Sequence, residues 1–149
     1  MSNLFVVDTC ALISYFHKFL PGSNISISQE SMELIDMAFY SMETKLIFPS
    51  TIFIELYKKW FLSDEDAARI KSEVFLRIRN QENMEIQPFD KEILKAFVGI
   101  KDIEPKFNFD NHDKQILAAA IVMQCPLISS DTNIIRYNKR KNVIPEVLT

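Results

Sequence analysis

Four carboxylates in this chain occupy positions from which they could do hydrolytic chemistry. Asp8 ends the apolar run Leu4-Phe5-Val6-Val7, and Asp131 ends the run Leu127-Ile128-Ser129-Ser130. Asp113 lies in the first turn of an alanine-rich helix, and Glu55 lies one turn into the helix after a second strand. Ligands of α/β folds bind in the crevice at the carboxyl ends of the strands, where Asp8 and Asp131 would stand. Four carboxylates gathered there repel: each pair ~4 Å apart costs ~4 kcal/mol at an effective dielectric of about 20. Several such pairs exceed the ~5–15 kcal/mol stability of a whole domain. A cluster of this kind is tolerable only if some acids are protonated or a hard cation sits among them. Clustered carboxylates without histidine or thiolate select Mg2+ or Mn2+ rather than zinc.

Each acid also has a purely local reading. Asp8 or Thr9 suits the cap of the following helix. Asp131 can start a turn with Thr132 and Asn133. Asp113 can offset the helix macrodipole behind a cap at Asp110 or Asn111. Glu55 and Lys59 form an ordinary i,i+4 pair worth ~0.2–0.5 kcal/mol. The chemical reading needs all four in one place, and the strand-end rule brings at least Asp8 and Asp131 near each other.

The elements that must position these acids read as strands alternating with helices. Leu4 to Val7 is a continuous apolar run of the kind buried on both faces of a parallel sheet. A helix over Ala11 to Leu20 stops at Pro21-Gly22, and Gln29 to Ser41 is a second, with Met32, Leu34, Ile35, Ala38 and Phe39 near a 3.6 period. Lys45 to Phe48 predicts a strand ended by Pro49. Ser50 or Thr51 then caps a helix running to about Leu62, and Ser63 opens another with an acidic first turn and a stripe of Ile70, Val74 and Ile78. Met84 to Phe89 predicts a strand, Asp90 caps a helix, and the stretch from Gly99 to Asn111 is irregular. His112 to Gln124 predicts a helix, Pro126 to Ser130 a strand, and Asn142 to Ile144 a last short strand. This alternation predicts an α/β three-layer sandwich: a central, mostly parallel sheet of four to five strands flanked by helices.

Composition narrows the field. With 149 residues, 48% of them hydrophobic, the chain is long enough for one domain over 1–149 and short for two. Two glycines exclude phosphate-cradling loops and dinucleotide fingerprints. Two cysteines and two histidines, spread far apart, exclude a structural zinc site. No apolar run reaches the ~18 residues of a membrane span, and the opening Met1 to Asp8 lacks a basic secretory start. These features predict a cytoplasmic protein with reduced thiols. Net charge is −3, yet Arg136, Lys139, Arg140 and Lys141 place four bases in six residues. Such a stripe can bind phosphates on a protein that is acidic overall.

Three stretches resemble the motifs of the PIN-domain family. Val6-Val7-Asp8-Thr9-Cys10-Ala11-Leu12-Ile13 looks like its opening strand, Asp and small hydroxyl residue before an apolar helix. Asp113-Lys114-Gln115-Ile116-Leu117-Ala118-Ala119-Ala120-Ile121 is similar to its third motif, and Pro126 to Asp131 resembles its last. Glu55 falls where the family carries a glutamate. Order, spacing and length fit the small prokaryotic PIN proteins, including the VapC-like toxin ribonucleases. Phe107 to His112 departs from the family pattern, so Asp110 is a candidate to assist or replace Asp113. The resemblance implies a PIN-like fold and a Mg2+- or Mn2+-dependent endoribonuclease, with an antitoxin as partner if the protein is a toxin. It makes Asp8, Glu55, Asp113 and Asp131 the metal-holding set, with Thr9, Ser129, Ser130 and Asp110 orienting them.

Lys58, Lys59, Arg136, Lys139, Arg140 and Lys141 are then the candidates for contact with the RNA backbone, and Phe107, Phe109 and Tyr137 for stacking on unpaired bases. His112, beside Asp113, is of a type that moves protons near neutral pH. Tyr57, Trp60, Phe61, Ile70, Val74 and Phe75 are either core or the anchors of an antitoxin or homodimer groove. The competing reading is a catalytically inactive PIN-type RNA-binding or protein-interaction module. A phosphoacceptor receiver fits less well, because the first strand ends in one acid rather than two. A haloacid-dehalogenase-like phosphatase would need an acid where Cys10 stands.

Overall fold

The apolar run Leu4–Val7 becomes the central strand β1, with Val6 and Val7 fully buried because helices cover both faces. The computed structural model describes residues 3–101 and 109–149. On one side of β1 lies β2 (Lys45–Pro49) and beyond it β3 (Met84–Gln87); on the other lie β4 (Leu127–Ile128) and β5 (Val147–Leu148). The order is β3-β2-β1-β4-β5, and every neighbouring pair is parallel. Val6 stands opposite Ile47 on one side and Leu127 on the other. The expected α/β architecture is thus present, with five strands in a wholly parallel sheet.

Strand order decides where a ligand can sit. From β1 the chain steps outward to β2 and β3, then crosses back to lay down β4 and β5 beyond the other edge of β1. The direction reverses between β1 and β4, and crevices of α/β sheets open at such switch points.

The helices follow their start signals. α2 (Gln29–Tyr40) is capped by Ser28, whose hydroxyl accepts the Ser31 N–H at 3.1 Å. Ser63 does the same for α4 (Asp64–Ile70), which runs on through a π-helical turn, Lys71–Phe75, into α5 (Leu76–Arg79). Ile70, Val74 and Ile78 are all buried, as their spacing predicts. Asp90 caps α6 (Lys91–Val98), and Asp110 caps α7 (Asn111–Met123).

Other boundaries differ from the sequence reading. α1 (Thr9–Tyr15) ends early and is followed by a 3₁₀ turn, His17–Phe19. Side chains compete for its carbonyls: Ser14 donates to the Cys10 carbonyl at 2.8 Å and His17 Nδ1 to that of Ser14 at 2.9 Å. α3 (Ser50–Trp60) starts directly after Pro49 with no side-chain cap, so neither Ser50 nor Thr51 serves as one. The strand expected over Pro126 to Ser130 pairs only at Leu127–Ile128, and that over Met84 to Phe89 only to Gln87. The largest difference is α8 (Thr132–Lys141), which the sequence reading left without a helix. It ends at Asn142, left-handed with φ 52, and the Asn138 side chain accepts the N–H groups of Val143 and Ile144. That turn occupies the stretch expected as a last strand; the strand forms later, at Val147–Leu148. Among the described residues, no helix is long and apolar enough to cross a membrane.

Candidate active site

Asp8 follows the last residue of β1, and its N–H still donates to the Ile128 carbonyl at 3.1 Å, so sheet register holds the backbone at the acid itself. Only 3% of Asp8 is exposed. Its Oδ1 accepts the Thr9 N–H at 2.6 Å, and its Oδ2 accepts the hydroxyl of Ser129 and lies 3.5 Å from Cys10 Sγ. Ser129, fully buried, also accepts the Asp131 N–H at 3.0 Å. Asp131 caps α8, its Oδ1 accepting from Asn133 at 2.8 Å and Ile134 at 3.1 Å.

The other two acids arrive on helices. Asp113 sits in the first turn of α7, its N–H donating to Asp110 Oδ1 at 2.9 Å. Glu55 lies one turn along α3 from Thr51, whose hydroxyl is 2.7 Å from His112 Nδ1; the same nitrogen stands 3.5 Å from Glu55 Oε1. Thr9 Oγ1 and Glu55 Oε1 are both buried and have no hydrogen-bond partner among the described residues.

Asp8, Glu55, Asp110, Asp113 and Asp131 line one cavity of about 270 Å³, together with Thr9, Cys10, Ile13, Lys59 and Ser130. The structure therefore brings the four acids singled out in the sequence to one place, at the switch point. They surround the space rather than meet at a point: among the described residues, no three His, Cys, Asp or Glu side chains form a ready metal centre. Their protonation records the crowding. Burial, and then the charges of Asp131, Asp110, Asp8 and Glu55, push Asp113 up to about 8. Burial raises Asp8 to about 6, with the Ser129 and Thr9 hydrogen bonds working against it and the Asp131 charge adding to it. Burial also lifts Glu55 above the ordinary carboxylate range, while His112 draws it back. The Cys10 thiol is raised to about 11 by burial and by Asp8, so it is no thiolate nucleophile at neutral pH.

The residues expected to orient these acids divide. Ser129 contacts two of them. Thr9 holds Asp8 through its backbone N–H rather than its hydroxyl. Ser130 sends its hydroxyl to Ser26 at 2.9 Å and its N–H to Cys10 Sγ at 3.2 Å, so it orients no carboxylate. Asp110 is a helix cap that also walls the cavity. Of the basic candidates, Lys59 lines the cavity and Lys58 is exposed beside it on α3. Arg136, Lys139, Arg140 and Lys141 are exposed on α8, outside the cavity wall. Tyr137 is buried, so its ring is not open to a base; Phe109 is partly buried and packs against it with ring centroids 5.8 Å apart, and Phe107 lies outside the described residues. Ile70 and Val74 belong to the core, whereas Phe61 is exposed next to Leu62. The contact of Thr51 with His112 escaped the sequence reading. Its only signal was the i,i+4 spacing of Thr51 and Glu55, which places both on one helix face.

A parallel sheet with acids from four separate segments at its switch point defines an α/β protein with a carboxylate-lined site. The chain belongs to the PIN-domain family, whose family model matches residues 5–140 and whose members are generally nucleases. Its fold is similar to that in the crystal structure of FitAcB from Neisseria gonorrhoeae, with a TM-score of 0.66 over 97% of this chain and 96% of that one, at 14% identity. No curated protein matches it.

Proposed function

We propose that this chain is a single-domain, Mg2+- or Mn2+-dependent endoribonuclease acting in the cytoplasm, and the toxin of a toxin–antitoxin pair. The observation that carries the reading is the mutual influence of Asp8, Glu55, Asp113 and Asp131 around one cavity. Protonation of Asp113 or a bound cation would relieve that repulsion, and the carboxylates of the lining are the hard oxygen donors that Mg2+ or Mn2+ selects. The buried Oε1 of Glu55, 3.5 Å from His112 Nδ1 and without a hydrogen bond among the described residues, is the kind of atom that a cation would satisfy. When bound, the cation supplies Lewis acidity for hydrolytic attack on phosphorus and balances charge on the leaving oxygen.

The protein's own residues do the rest. Asp8, Glu55, Asp113 and Asp131 hold the cation, and Ser129 fixes the direction of Asp8. Lys59, the basic residue of the cavity wall, is placed to meet a substrate phosphate. The exposed bases of α8 and Lys58 supply backbone attraction for a single strand. An antitoxin or a second copy would cover the exposed Ile54 on α3 and Phe61 and Leu62 just past its C-terminal end.

The rival reading, an inactive RNA-binding or interaction module, draws on the absence of a ready three-ligand centre among the described residues. A cleavage assay on total RNA with and without Mn2+ separates the two. Metal-dependent cleavage supports the nuclease; RNA retention with no cleavage, with or without Mn2+, supports the module.

A further inference from the structure

Next to Glu55, and outside the lining of the acid cavity, two residues that are not among the four acids meet. Thr51 is 97% shielded at the start of α3, with 3% exposure, yet its hydroxyl caps nothing in its own helix. It meets His112 Nδ1 at 2.7 Å, across the gap between α3 and α7. The same ring nitrogen faces the buried Glu55 Oε1 at 3.5 Å. Thr51 and Glu55 are one helical turn apart, so the imidazole lies along both. His112 in turn immediately precedes Asp113 on α7.

We infer that Thr51 and His112 form a latch that positions Glu55 in the acid cavity and fixes the spacing between Glu55 and Asp113. Whichever of Oγ1 and Nδ1 carries the shared proton, the hydroxyl locks the imidazole plane, and the locked ring limits where the carboxylate of Glu55 can swing. Ordering a long glutamate side chain costs conformational entropy. The latch removes much of that freedom before any ligand arrives. Both residues act through Glu55, so they are positioning residues. Partners that orient metal-holding carboxylates typically matter by about 10- to 100-fold in affinity. This inference rests on the nuclease reading for its consequence, but the latch itself is testable in metal-free protein.

Three variants test it: Thr51→Val, which keeps the shape and removes the hydroxyl; Thr51→Ser, which restores the hydroxyl; and His112→Ala at a side chain that is partly exposed. Two quantities are read on each: the Glu55 carboxyl ¹³C resonance in metal-free protein and Mn2+ affinity by calorimetry. Thr51→Val and His112→Ala should shift the resonance and weaken Mn2+ binding about 10-fold, at the low end of that range. Thr51→Ser should restore both. A folded Thr51→Val or His112→Ala protein with the wild-type resonance overturns the latch, as does Thr51→Ser behaving like Thr51→Val. If the wild type binds no Mn2+ while the resonance still moves, the latch stands and the nuclease reading falls.

Discussion

The hydroxyl of Ser129 donates to Oδ2 of Asp8 across the junction of β1 and β4 while accepting the N–H of Asp131. One buried side chain thus couples the acids that end two neighbouring strands. Removing it with Ser129→Ala leaves the buried Asp8 carboxylate short of a donor. The variant should lose about 1–3 kcal/mol of stability, the cost of an unsatisfied buried acceptor. Because that hydrogen bond opposes the upward shift of Asp8, the Asp8 pKa should rise further above 6. Urea denaturation and carboxyl ¹³C titration measure the two effects.

Asp8→Asn should separate folding from chemistry. The amide keeps the size of Asp8 and most of its hydrogen bonding, but lacks the charge that a hard cation needs. The metal-free variant should fold, and at pH 8 be more stable than the wild type, because one member of the repelling set is gone. Metal-dependent RNA cleavage should fall by orders of magnitude. Cleavage by Asp8→Asn at the wild-type rate under the same metal would sink the proposed mechanism.

Stability of the metal-free protein should decline as pH rises. Asp113 is raised to about 8 and Asp8 to about 6, both from an ordinary value near 3.8. An acid whose pKa is higher in the folded state binds its proton more tightly there, so its stabilisation is complete below about pH 4. It is lost as pH climbs through 6 for Asp8 and 8 for Asp113. Thermal melts followed by the single tryptophan, Trp60, should therefore give a lower midpoint at pH 8 than at pH 5. Saturating Mn2+ should shrink the difference; an unchanged difference would count against a cation among these acids.

Charge reversal of Lys139 and Arg140 on α8 should weaken RNA binding and reduce the salt slope by about 0.7 per lost phosphate contact on a single strand. Mn2+ affinity should stay unchanged, since neither residue lines the acid cavity. An unaltered salt slope in binding assays would assign this stripe to the solvated surface.

Much of this was legible in the sequence because the informative residues obey local rules. Leu4–Val7 and its closing Asp8 announce a buried parallel strand with an acid at its carboxyl end, and Ser63 and Asp90 cap the helices their positions predict. The helix α8 was harder to see. Its run Asn133 to Lys141 is mostly polar, with Ile134 and Tyr137 as its buried positions, so periodicity is faint and the cap at Asp131 is the stronger signal. The hydroxyls were only half legible. Ser129 and Ser130 are identical neighbours just past the end of β4; the first turns towards Asp8 and the second towards Ser26, a choice that depends on register with β1. The bond between Thr51 and His112 joins residues 61 positions apart, and no local spacing encodes it.

The switch point between β1 and β4 also has a consequence in time. Asp8 belongs to the first strand laid down, but its donor Ser129 and its neighbour Asp131 come with β4, more than a hundred residues later in the chain. A ribosome synthesises from the N-terminus, so a chain that has emerged only as far as α7 carries Asp8, Glu55 and Asp113 without the strand that closes the cavity around them. The acid cavity is therefore not closed until β4 and the acid that follows it have been made.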